Sequence, residues 1–334
     1  LSTPDLSVVY GFKARAYQVM EDWANAEKYA KLAQDGYNMM SQEEYLSRET
    51  GFNTPNSSWM FGMQFKSTDP VITGNDADGS WGSFMYLEVN GSGCGYASSY
   101  GYQFSIDRHL YETIPSTDFR KKAFIDFSID ELGGKEQIVE ALKAYSDYPN
   151  DIYQSGYEGV GAQTVGGFSV KFRAAGGAEG HKNQYIGFLG AVPFMRVEEM
   201  KLIEIEAAGM QDESRGIQLL TEFAKTRDPQ YTYGKHNEAY YNFKTSAFQN
   251  EVWWQRRVEL WGEGFATFDI KRLNKGIIRS YNNTNHLKTF RWNMQTPPDW
   301  MNLCIVETET SYNTACTNNP TPIPPSSDSE EFIW

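Results

Sequence analysis

The strongest periodic pattern of apolar positions lies in residues 253–273. Four large apolar side chains recur there at intervals of four, three and four residues: Trp254, Val258, Trp261 and Phe265. This spacing predicts a helix over residues 246–262 with one broad apolar face. Gly264 is placed to end or turn that helix, because glycine readily adopts the backbone conformation found at helix C-termini.

Charged residues flank this apolar face, and ions beside so many aromatic rings are expected to be half-buried and paired. We predict that Arg256 and Arg257 pair with carboxylates from the following set: Glu199, Glu206, Glu259 and Glu263. The alternative is catalysis by Glu259 or Glu263. A general acid needs a partner carboxylate that faces the same cleft, and nothing in the sequence supplies one. The pattern therefore favours a structural helix with ion pairs.

Residues 3–38 have the pattern of a helical hairpin, with helices over 7–20 and 23–37. Alanines at positions such as Ala14 and Ala26 face aromatic residues, which lets two helices pack closely. A unit of about 34 residues is typical of the tetratricopeptide repeat. An ordinary helical hairpin is the alternative, and a single repeat needs a partner unit to bury its apolar face.

The partner unit is predicted at 193–227, with helices over 194–209 and 213–227 separated at Gly209. Glu199 and Glu206 are seven residues apart on the first of these helices, about 10 Å along its axis. That distance exceeds the roughly 5–9.5 Å between the carboxyl groups of glycosidases. We therefore interpret both glutamates as ion-pair partners of the central helix.

The segments between and after the hairpins are irregular. Alternating apolar residues predict a strand over 57–65, and helices are expected over 107–126 and 133–145, with short strands around 168–172. Residues 66–103 form a long segment rich in glycine, serine and aromatic residues, and a loop of that length is usually functional or disordered. After residue 275 the helical period is lost, and prolines favour extended strands and turns.

Composition narrows the classes of partner. The net charge of −13 argues against nucleic acid. The 9 Trp, 21 Tyr and 20 Phe exceed what a helical scaffold needs, so some of these rings are expected to be exposed and used for recognition. No run of roughly 18 apolar residues exists, so no membrane span is predicted. No signal peptide precedes the first predicted helix, which is consistent with a piece of a longer chain.

Cofactor motifs are weak in this sequence. Cysteine spacing typical of zinc is absent, and neither GK[ST] nor GxGxxG follows a strand. A disulfide between Cys304 and Cys316 is a guess, since the third cysteine, Cys94, leaves an odd number. Residues 75–80 resemble the start of a calcium loop, with Glu88 as the nearest distant carboxylate. An acidic turn is the alternative interpretation of that run.

The 66–103 segment is the predicted ligand site. Its rings cannot build a core with the surrounding serines and glycines, so we expect an exposed patch that stacks on a ligand. The alternative is that some rings merely pin the loop to the body. The candidate residues are five rings and two carboxylates: Trp81, Tyr86, Tyr96, Tyr100, Tyr102, Asp76 and Asp78. Weak binding, roughly micromolar to millimolar, is expected because the loop must be ordered.

The 253–273 stretch resembles the C-terminal signature of SusD-like (SusD/RagB) proteins, which is roughly R-R-x-E-L-x-x-E-G-x-R-x-x-D-L-x-R. The matching positions are Arg256, Arg257, Glu259, Leu260, Glu263, Gly264, Asp269 and Arg272. Ala266 stands where a basic residue is usual, and Ile270 replaces leucine. The helix from Pro193 and the Pro322-Ile323-Pro324 triplet resemble other segments of the same family. The resemblance covers roughly the last three-fifths of the family pattern.

The resemblance implies a mostly α fold, with tetratricopeptide-like helical pairs and an irregular, loop-rich region with short strands. It implies one SusD-like domain over 1–334, with helical parts 3–38 and 193–273 and ligand-facing parts 39–192 and 274–334. It further implies a lipid-anchored outer-membrane protein that binds glycans without cutting them and passes them to a SusC-like TonB-dependent transporter. A repeat scaffold for peptides or proteins and, less favoured, a glycoside hydrolase remain alternatives.

Overall fold

The computed structural model describes residues 3–69, 81–88, 103–158, 164–237, 244–319 and 329–334. Within these ranges the chain is mostly helical, as predicted, and five helices are longer than ten residues. They are α1 (Leu6–Val19), α2 (Trp23–Ala33), α10 (Val197–Gln211), α11 (Glu213–Lys225) and α12 (Ala247–Glu259). None of the helices in the described ranges is both long and apolar enough to cross a membrane.

The remaining helical elements are short. The α-helices among them are α3 (Gln42–Tyr45), α4 (Trp81–Met85), α5 (Arg108–Thr113), α6 (Lys135–Leu142), α7 (Pro149–Tyr153), α8 (Gly177–Gly180), α9 (Gln184–Gly187), α13 (Ala266–Arg272) and α14 (Glu307–Thr310). Tighter 3₁₀ turns occupy Phe119–Ala123, Phe127–Glu131, Lys288–Phe290 and Asp299–Met301, and a π turn occupies Gln154–Glu158. The strands form two antiparallel pairs, β1 (Trp59–Met63) with β2 (Val192–Arg196) and β3 (Ile277–Ile278) with β4 (Asn293–Met294).

Local sequence explains where the long helices begin. Asp5 accepts a hydrogen bond from the Val8 amide at the start of α1, and Asp22 does the same for Asn25 in α2. Asp212 caps α11 through the Arg215 amide. Each cap satisfies an amide that has no partner within its own helix.

The two hairpins pack as one apolar layer. Alanines of α1 and α2 are fully buried against α10, where Ala207 and Met200 meet them. Small side chains at these positions allow the helices to approach closely, as the sequence predicts. Gly11 of α1 has the same role, because a Cβ there would lie 2.3 Å from the sulfur of Met195.

Two predictions for the second hairpin are wrong. The helix begins at Val197, three residues later than expected, because the preceding residues form β2 and pair with β1. Gly209 does not separate the helices, since α10 runs through it to Gln211. Its role is close approach: a Cβ at Gly209 would lie 2.1 Å from the Phe248 ring of α12.

The strand predicted over 57–65 is confirmed as β1, but its alternation does not separate two faces. Both Trp59 and Met60 are buried, because the pairing with β2 shifts register between Trp59 and Phe61 and again before Gly62. A bulge of this kind places an extra residue on one strand and breaks the two-residue period.

The irregular half has its own aromatic core. Phe52, Phe124 and Phe172 are buried there with Trp254 from α12. The single helix predicted over 107–126 is wrong: α5 ends at Thr113, and a 3₁₀ turn capped by Asp118 follows. Pro115 disfavours helical conformation at the preceding residue, and Ile114 is extended. The short strands expected around 168–172 are single bridges to Ser105 and Phe124.

Tyr281 and Phe332 of the C-terminal part pack with Trp253 of α12 and Ile270 of α13. Cys304 and Cys316 are not bonded to each other, so the disulfide guess is not supported. The loop that the disulfide would close is held instead by Asn318, whose side chain accepts from the Ile305 amide at 2.7 Å and donates to its carbonyl at 3.1 Å.

Candidate ligand-binding site

The turn after α12 meets two different environments, a buried charge cluster on one side and an apolar cavity on the other. The charge cluster consists of four cations and four carboxylates, all nearly inaccessible to solvent: Arg120, Lys171, Arg196, Arg227, Asp118, Glu198, Glu259 and Glu263. Equal numbers of each sign lie within hydrogen-bonding distance of one another. A buried cluster is stable only when its charges are paired in this way.

Glu259 is the centre of the charge cluster. Its carboxylate accepts from Arg227 Nε at 3.1 Å, from Arg120 Nη1 at 3.2 Å and from Arg196 at 3.4 Å. Burial by itself would raise the pKa of Glu259, but the charges of Arg227, Arg196 and Arg120 outweigh it and hold that pKa far below its usual value. Glu259 therefore stays ionised at neutral pH and cannot donate a proton.

Glu263 binds two cations at the edge of the cluster. Arg196 Nε donates to one oxygen at 2.8 Å and Lys171 Nζ to the other at 2.6 Å. Burial lowers the pKa of Lys171 to about 8, against the opposing charge of Glu263. Burial also disfavours the ionised form of Glu263, yet Arg196 and Lys171 still hold its pKa below the usual value. These contacts support a structural, ion-pairing role for Glu259 and Glu263 and not a catalytic one.

The partners predicted for Arg256 are wrong. Its Nε donates to Asp269 at 2.7 Å, on the next helix, and not to any of the four predicted glutamates. Glu206 instead accepts from Arg272 at 2.7 Å, and Glu199 accepts from Arg15 of α1. These contacts join the two hairpins to α13.

Arg257 lies over the ring of Trp253, at 4.5 Å from its centroid. Two cations that pair with Glu259 and Glu263, Arg120 and Lys171, were not predicted as their partners. Both come from the irregular half of the chain. There no helical period marks a position as buried, so pattern analysis had no signal for them.

The apolar cavity has a volume of about 650 Å³ and opens beside the same turn. Its walls come from β1, β2, α4, α5, the end of α12, the 260–265 turn and α13. The lining side chains are mostly aromatic or aliphatic: Met63, Phe65, Trp81, Met85, Phe104, Leu110, Val192, Pro193, Phe194, Leu260, Trp261 and Phe265. Polar groups line it at six positions: Asp107, Arg256, Arg257, Glu263, Thr267 and Asp269.

Glycine shapes the turn that borders this cavity. Gly262 has φ +77° and Gly264 φ +87°, a region that other residues rarely adopt. A Cβ at Gly262 would also lie 2.5 Å from the ring of Phe172, whereas a Cβ at Gly264 would meet nothing within 4 Å. The turn therefore needs glycine at 262 for two reasons and at 264 for one.

Of the two predicted site residues that the structure describes, Trp81 lies at the cavity and Tyr86 does not. Trp81 begins α4, is partly buried, and packs edge-on against Phe172 with ring centroids 4.7 Å apart. Its position fits a ring that is anchored on one side and available on the other. The cavity also brings in Phe104, which is 54% exposed and stacks on Phe84 at 5.4 Å. Phe104 is not among the predicted site residues, although it directly follows the predicted 66–103 segment.

Tyr86 is a correction to the predicted platform. It is 1% exposed and belongs to the aromatic core, where its ring meets Trp81 at 5.7 Å and Phe188 at 5.9 Å. The prediction assumed that the 66–103 segment could not bury its own rings. Residues 81–85 instead form α4, and this short helix presses Tyr86 onto the body.

Five other predicted site residues lie outside the described residues: Asp76, Asp78, Tyr96, Tyr100 and Tyr102. The calcium run at 75–80 lies outside them as well. Glu88, its nearest distant carboxylate, accepts from Arg173 at 2.7 Å and from the Ser146 hydroxyl. Within the described ranges no group of three or more His, Cys, Asp or Glu side chains is arranged to hold a metal ion.

The structure thus combines paired helices with an irregular half that is rich in aromatic residues, and the apolar cavity lies between these two parts. This combination defines a class of mostly helical proteins. Among proteins of known structure, this is the SusD-like fold. A SusD-like carbohydrate binding protein from Bacteroides vulgatus matches with a TM-score of 0.61 and 21% identity, over 94% of this chain and 59% of that one. A SusD superfamily protein from the same species matches with a TM-score of 0.64 and 18% identity, over 95% and 60% of the two chains.

Surface glycan-binding protein A from Bacteroides thetaiotaomicron matches as well, with a TM-score of 0.57 and 14% identity, over 95% of this chain and 64% of that one. This chain spans about three-fifths of the length of such structures. No protein-family model and no curated protein sequence matches it. The fold expected from the 253–273 residues is confirmed by these structures.

Proposed function

We propose that the protein binds an oligosaccharide or polysaccharide without cutting it, and that Trp81 and Phe104 at the mouth of the apolar cavity form the stacking surface. The observation that carries the proposal is the pairing of an anchored indole with an exposed phenyl ring at one opening. Sugars present apolar C–H faces to rings of this kind, and their hydroxyl groups need polar partners. Asp107, Thr267 and Arg257 line the same cavity.

Absence of catalysis is part of the proposal. Of the carboxylates that line the cavity, Glu263 is paired with Arg196 and Lys171, and Asp269 with Arg256 and Arg272. The third, Asp107, accepts from the Tyr281 hydroxyl. Hydrolysis of a glycosidic bond needs one carboxylic acid that is protonated and one that is free. The name of the Bacteroides thetaiotaomicron structure, a surface glycan-binding protein, supports the same conclusion.

The proposal for the whole protein's role is supported by its fold relatives. We propose that it acts at the cell surface, on the outer membrane of a Bacteroidota bacterium, through an N-terminal lipid anchor. There it would pass its glycan to a SusC-like TonB-dependent transporter. Support comes from the SusD-like fold over nearly all of this chain. Co-purification of such a transporter from outer membranes by the tagged full-length protein is expected, and repeated failure to recover one would contradict this role.

A peptide- or protein-binding scaffold is the second candidate, and one surface favours it. Helix α1 exposes four large apolar residues, Leu6, Val9, Phe12 and Val19, and exposed Met20 follows directly. Such a stripe is suited to an apolar helix of a partner. The two candidates differ in their site, because a Phe12→Ala variant would weaken protein binding and leave glycan binding unchanged.

To test glycan binding, the purified protein is first screened on a glycan array. Affinity electrophoresis is then run in gels that contain the polysaccharides that the protein binds. Trp81→Ala is expected to lose most of the retardation, while Trp300→Ala, a partly buried tryptophan that does not line the cavity, is the matched control. Tyr100→Ala with Tyr102→Ala tests the residues predicted from sequence alone. Retardation that survives Trp81→Ala and disappears in Trp300→Ala would move the site to the C-terminal part.

A further inference from the structure

A second cavity of about 450 Å³ lies between the end of α5 and the loop after α11, and it shares no lining residue with the apolar cavity. Its lining is predominantly polar: Thr113, Pro115, Thr117, Asp228, Gln230, Tyr231, Thr232, Lys235 and His236. Hydroxyl, amide, carboxylate, ammonium and imidazole groups therefore face one small space. We name it the polar pocket.

Helix α12 fixes the walls of the polar pocket from behind. Glu251, fully buried on that helix, accepts from the Tyr231 hydroxyl at 3.0 Å and from the His236 amide at 2.9 Å. The imidazole of His236 stacks on Trp254 with ring centroids 3.5 Å apart and 9° between planes. Trp254 Nε1 in turn donates to Thr113 Oγ1 at 2.8 Å. Both sides of the pocket are thus held in place before any ligand arrives.

His236 has hydrogen-bonding capacity left over. It is 8% exposed, and within the described residues neither ring nitrogen forms a hydrogen bond. Burial, helped by the charge of Arg120, lowers the pKa of His236 to about 4. At neutral pH the ring is therefore uncharged, with one nitrogen that donates and one that accepts.

Asp228 has an open oxygen as well. The residue is 4% exposed, and its Oδ1 accepts from the Gln230 amide at 2.9 Å. Among the described residues its Oδ2 has no hydrogen-bond partner. Asp228 lines the pocket and this oxygen is not fully enclosed, so a donor placed in the pocket can reach it. A ligand hydroxyl is such a donor.

The charges of the pocket indicate the class of ligand. Asp228 carries one negative charge and Lys235 one positive charge, while the His236 ring is neutral, so neither an anion nor a cation is favoured over a neutral molecule. A carboxylate oxygen beside an imidazole suits neighbouring hydroxyl groups that each donate and accept. The outer threonines, Thr117 and Thr232, add further hydroxyl partners at the rim.

We propose that the polar pocket binds a neutral, ring-shaped polyhydroxylated molecule the size of one pyranose, with Asp228 and His236 as the hydrogen-bonding pair. The choice of a sugar over another cyclic polyol rests on the proposed function, whereas the preference for a neutral polyol rests on the pocket alone. Binding would be weak, in the roughly millimolar range, because few polar contacts replace those with water.

The test uses the imidazole nitrogens of His236 as a probe, observed in long-range proton–nitrogen correlation spectra at pH 7. Methyl glucoside, methyl galactoside, methyl mannoside and myo-inositol are added separately to the complete protein. The His236 signal is identified by its loss in His236→Phe, which keeps a ring on Trp254. A saturable shift with at least one probe is expected, and its apparent affinity should fall about tenfold or more in Asp228→Asn.

Two controls separate this proposal from the glycan site. Asp147→Asn, an exposed carboxylate paired with Arg48 and absent from the pocket, should leave the shift unchanged. Trp81→Ala should remove polysaccharide binding and leave the shift unchanged. No shift with any probe, or an Asp228→Asn variant that responds like the parent, would overturn the polar pocket while leaving the Trp81 site intact. Loss of the shift in Trp81→Ala would also overturn it as a separate site.

Discussion

The charge cluster and the apolar cavity meet at the same short turn, yet they differ in nearly every physical respect. Glu259 and Arg196, in the cluster, are inaccessible to solvent, and each is held by several opposite charges. Phe104, at the cavity, is more than half exposed and contacts Phe84 on one face. Glu263 connects the two regions, since it is ion-paired in the cluster and lines the cavity.

This difference shows which residues a sequence pattern can identify. The residues that carry the family resemblance, such as Glu259 and Asp269, serve to join helices through buried ion pairs. The two rings proposed to stack on a ligand come from α4 and the chain around Phe104, where no recurring pattern marks them, while about half of the cavity lining belongs to the 253–273 stretch itself. A signature of this kind therefore identifies the scaffold and one wall of the cavity, but not the rings that can stack on a ligand.

The largest expected effect is that of breaking the charge cluster at its centre. Glu259→Ala would leave Arg120, Arg196 and Arg227 with unbalanced positive charge in a dry interior, at a cost of about 3–5 kcal/mol in the free energy of unfolding. Urea unfolding monitored by tryptophan fluorescence measures this change. The matched control is Glu140→Ala, an exposed glutamate paired with Lys143, for which about 0–1 kcal/mol is expected. Equal stabilities for the two variants would show that the cluster does not hold the fold.

The next prediction concerns the turn that both regions share. Gly262→Ala combines a left-handed backbone with a clash against Phe172, and we expect it to cost about 1–3 kcal/mol or more. Gly264→Ala has the backbone cost alone, about 1 kcal/mol. Thermal unfolding of the pair separates the two terms. If Gly264→Ala proved the more damaging variant, the contact between the turn and Phe172 would be of no consequence.

The smallest expected effect is a difference in pH dependence: His236 of the polar pocket and the carboxylates of the charge cluster change the stability of the fold in different pH ranges. Cluster carboxylates such as Glu259 have lowered pKa values, so their stabilisation is complete above the pKa of the unfolded state and is lost only in acid. His236, whose pKa falls to about 4, stays neutral in the fold while the unfolded chain takes up a proton below about pH 6.5. Stability should therefore fall as pH drops from 7 to 5, by at most about 2 kcal/mol for this residue.

Denaturant unfolding of the parent and of His236→Phe at pH 7 and pH 5 checks this sign. His236→Phe is expected to lose less stability over that interval than the parent. His109, whose pKa is also lowered to about 4, acts in the same direction and remains in both proteins. An identical pH dependence in the two proteins would mean that His236 titrates normally in the fold.

Periodic positions made the helical scaffold predictable. Trp254 and Val258 lie on the buried face of α12, although this helix ends at Glu259 and not at the predicted residue 262, so the partly buried Trp261 belongs to the turn. The alanines of the first hairpin pack as expected. Boundaries failed where tertiary pairing competed with helix formation, as at β2. Gly209 was misplaced because a glycine that allows close packing looks the same in sequence as one that ends a helix.

The site was only partly predictable. Trp81 was selected because it stands in a long aromatic segment, and it does line a cavity. Tyr86, from the same segment, is buried, because a five-residue helix without clear period turns it inward. The partners of Glu259 include Arg120, 139 residues away in sequence, and a contact over that separation leaves no local pattern. Side-chain direction in irregular chain depends on packing that only the folded structure provides.

We propose that the apolar cavity, and not the charge cluster, contacts the ligand. The most direct measurement is calorimetry with a polysaccharide that the parent binds, comparing Phe104→Ala with Phe268→Ala. Phe268 is 67% exposed and does not line the cavity, so the two variants remove the same exposed side chain at different places. We predict that Phe104→Ala weakens binding by about tenfold, or 1.4 kcal/mol, and that Phe268→Ala binds like the parent, with both folds intact. Unchanged affinity in Phe104→Ala, or an equal loss in both variants, would contradict the account.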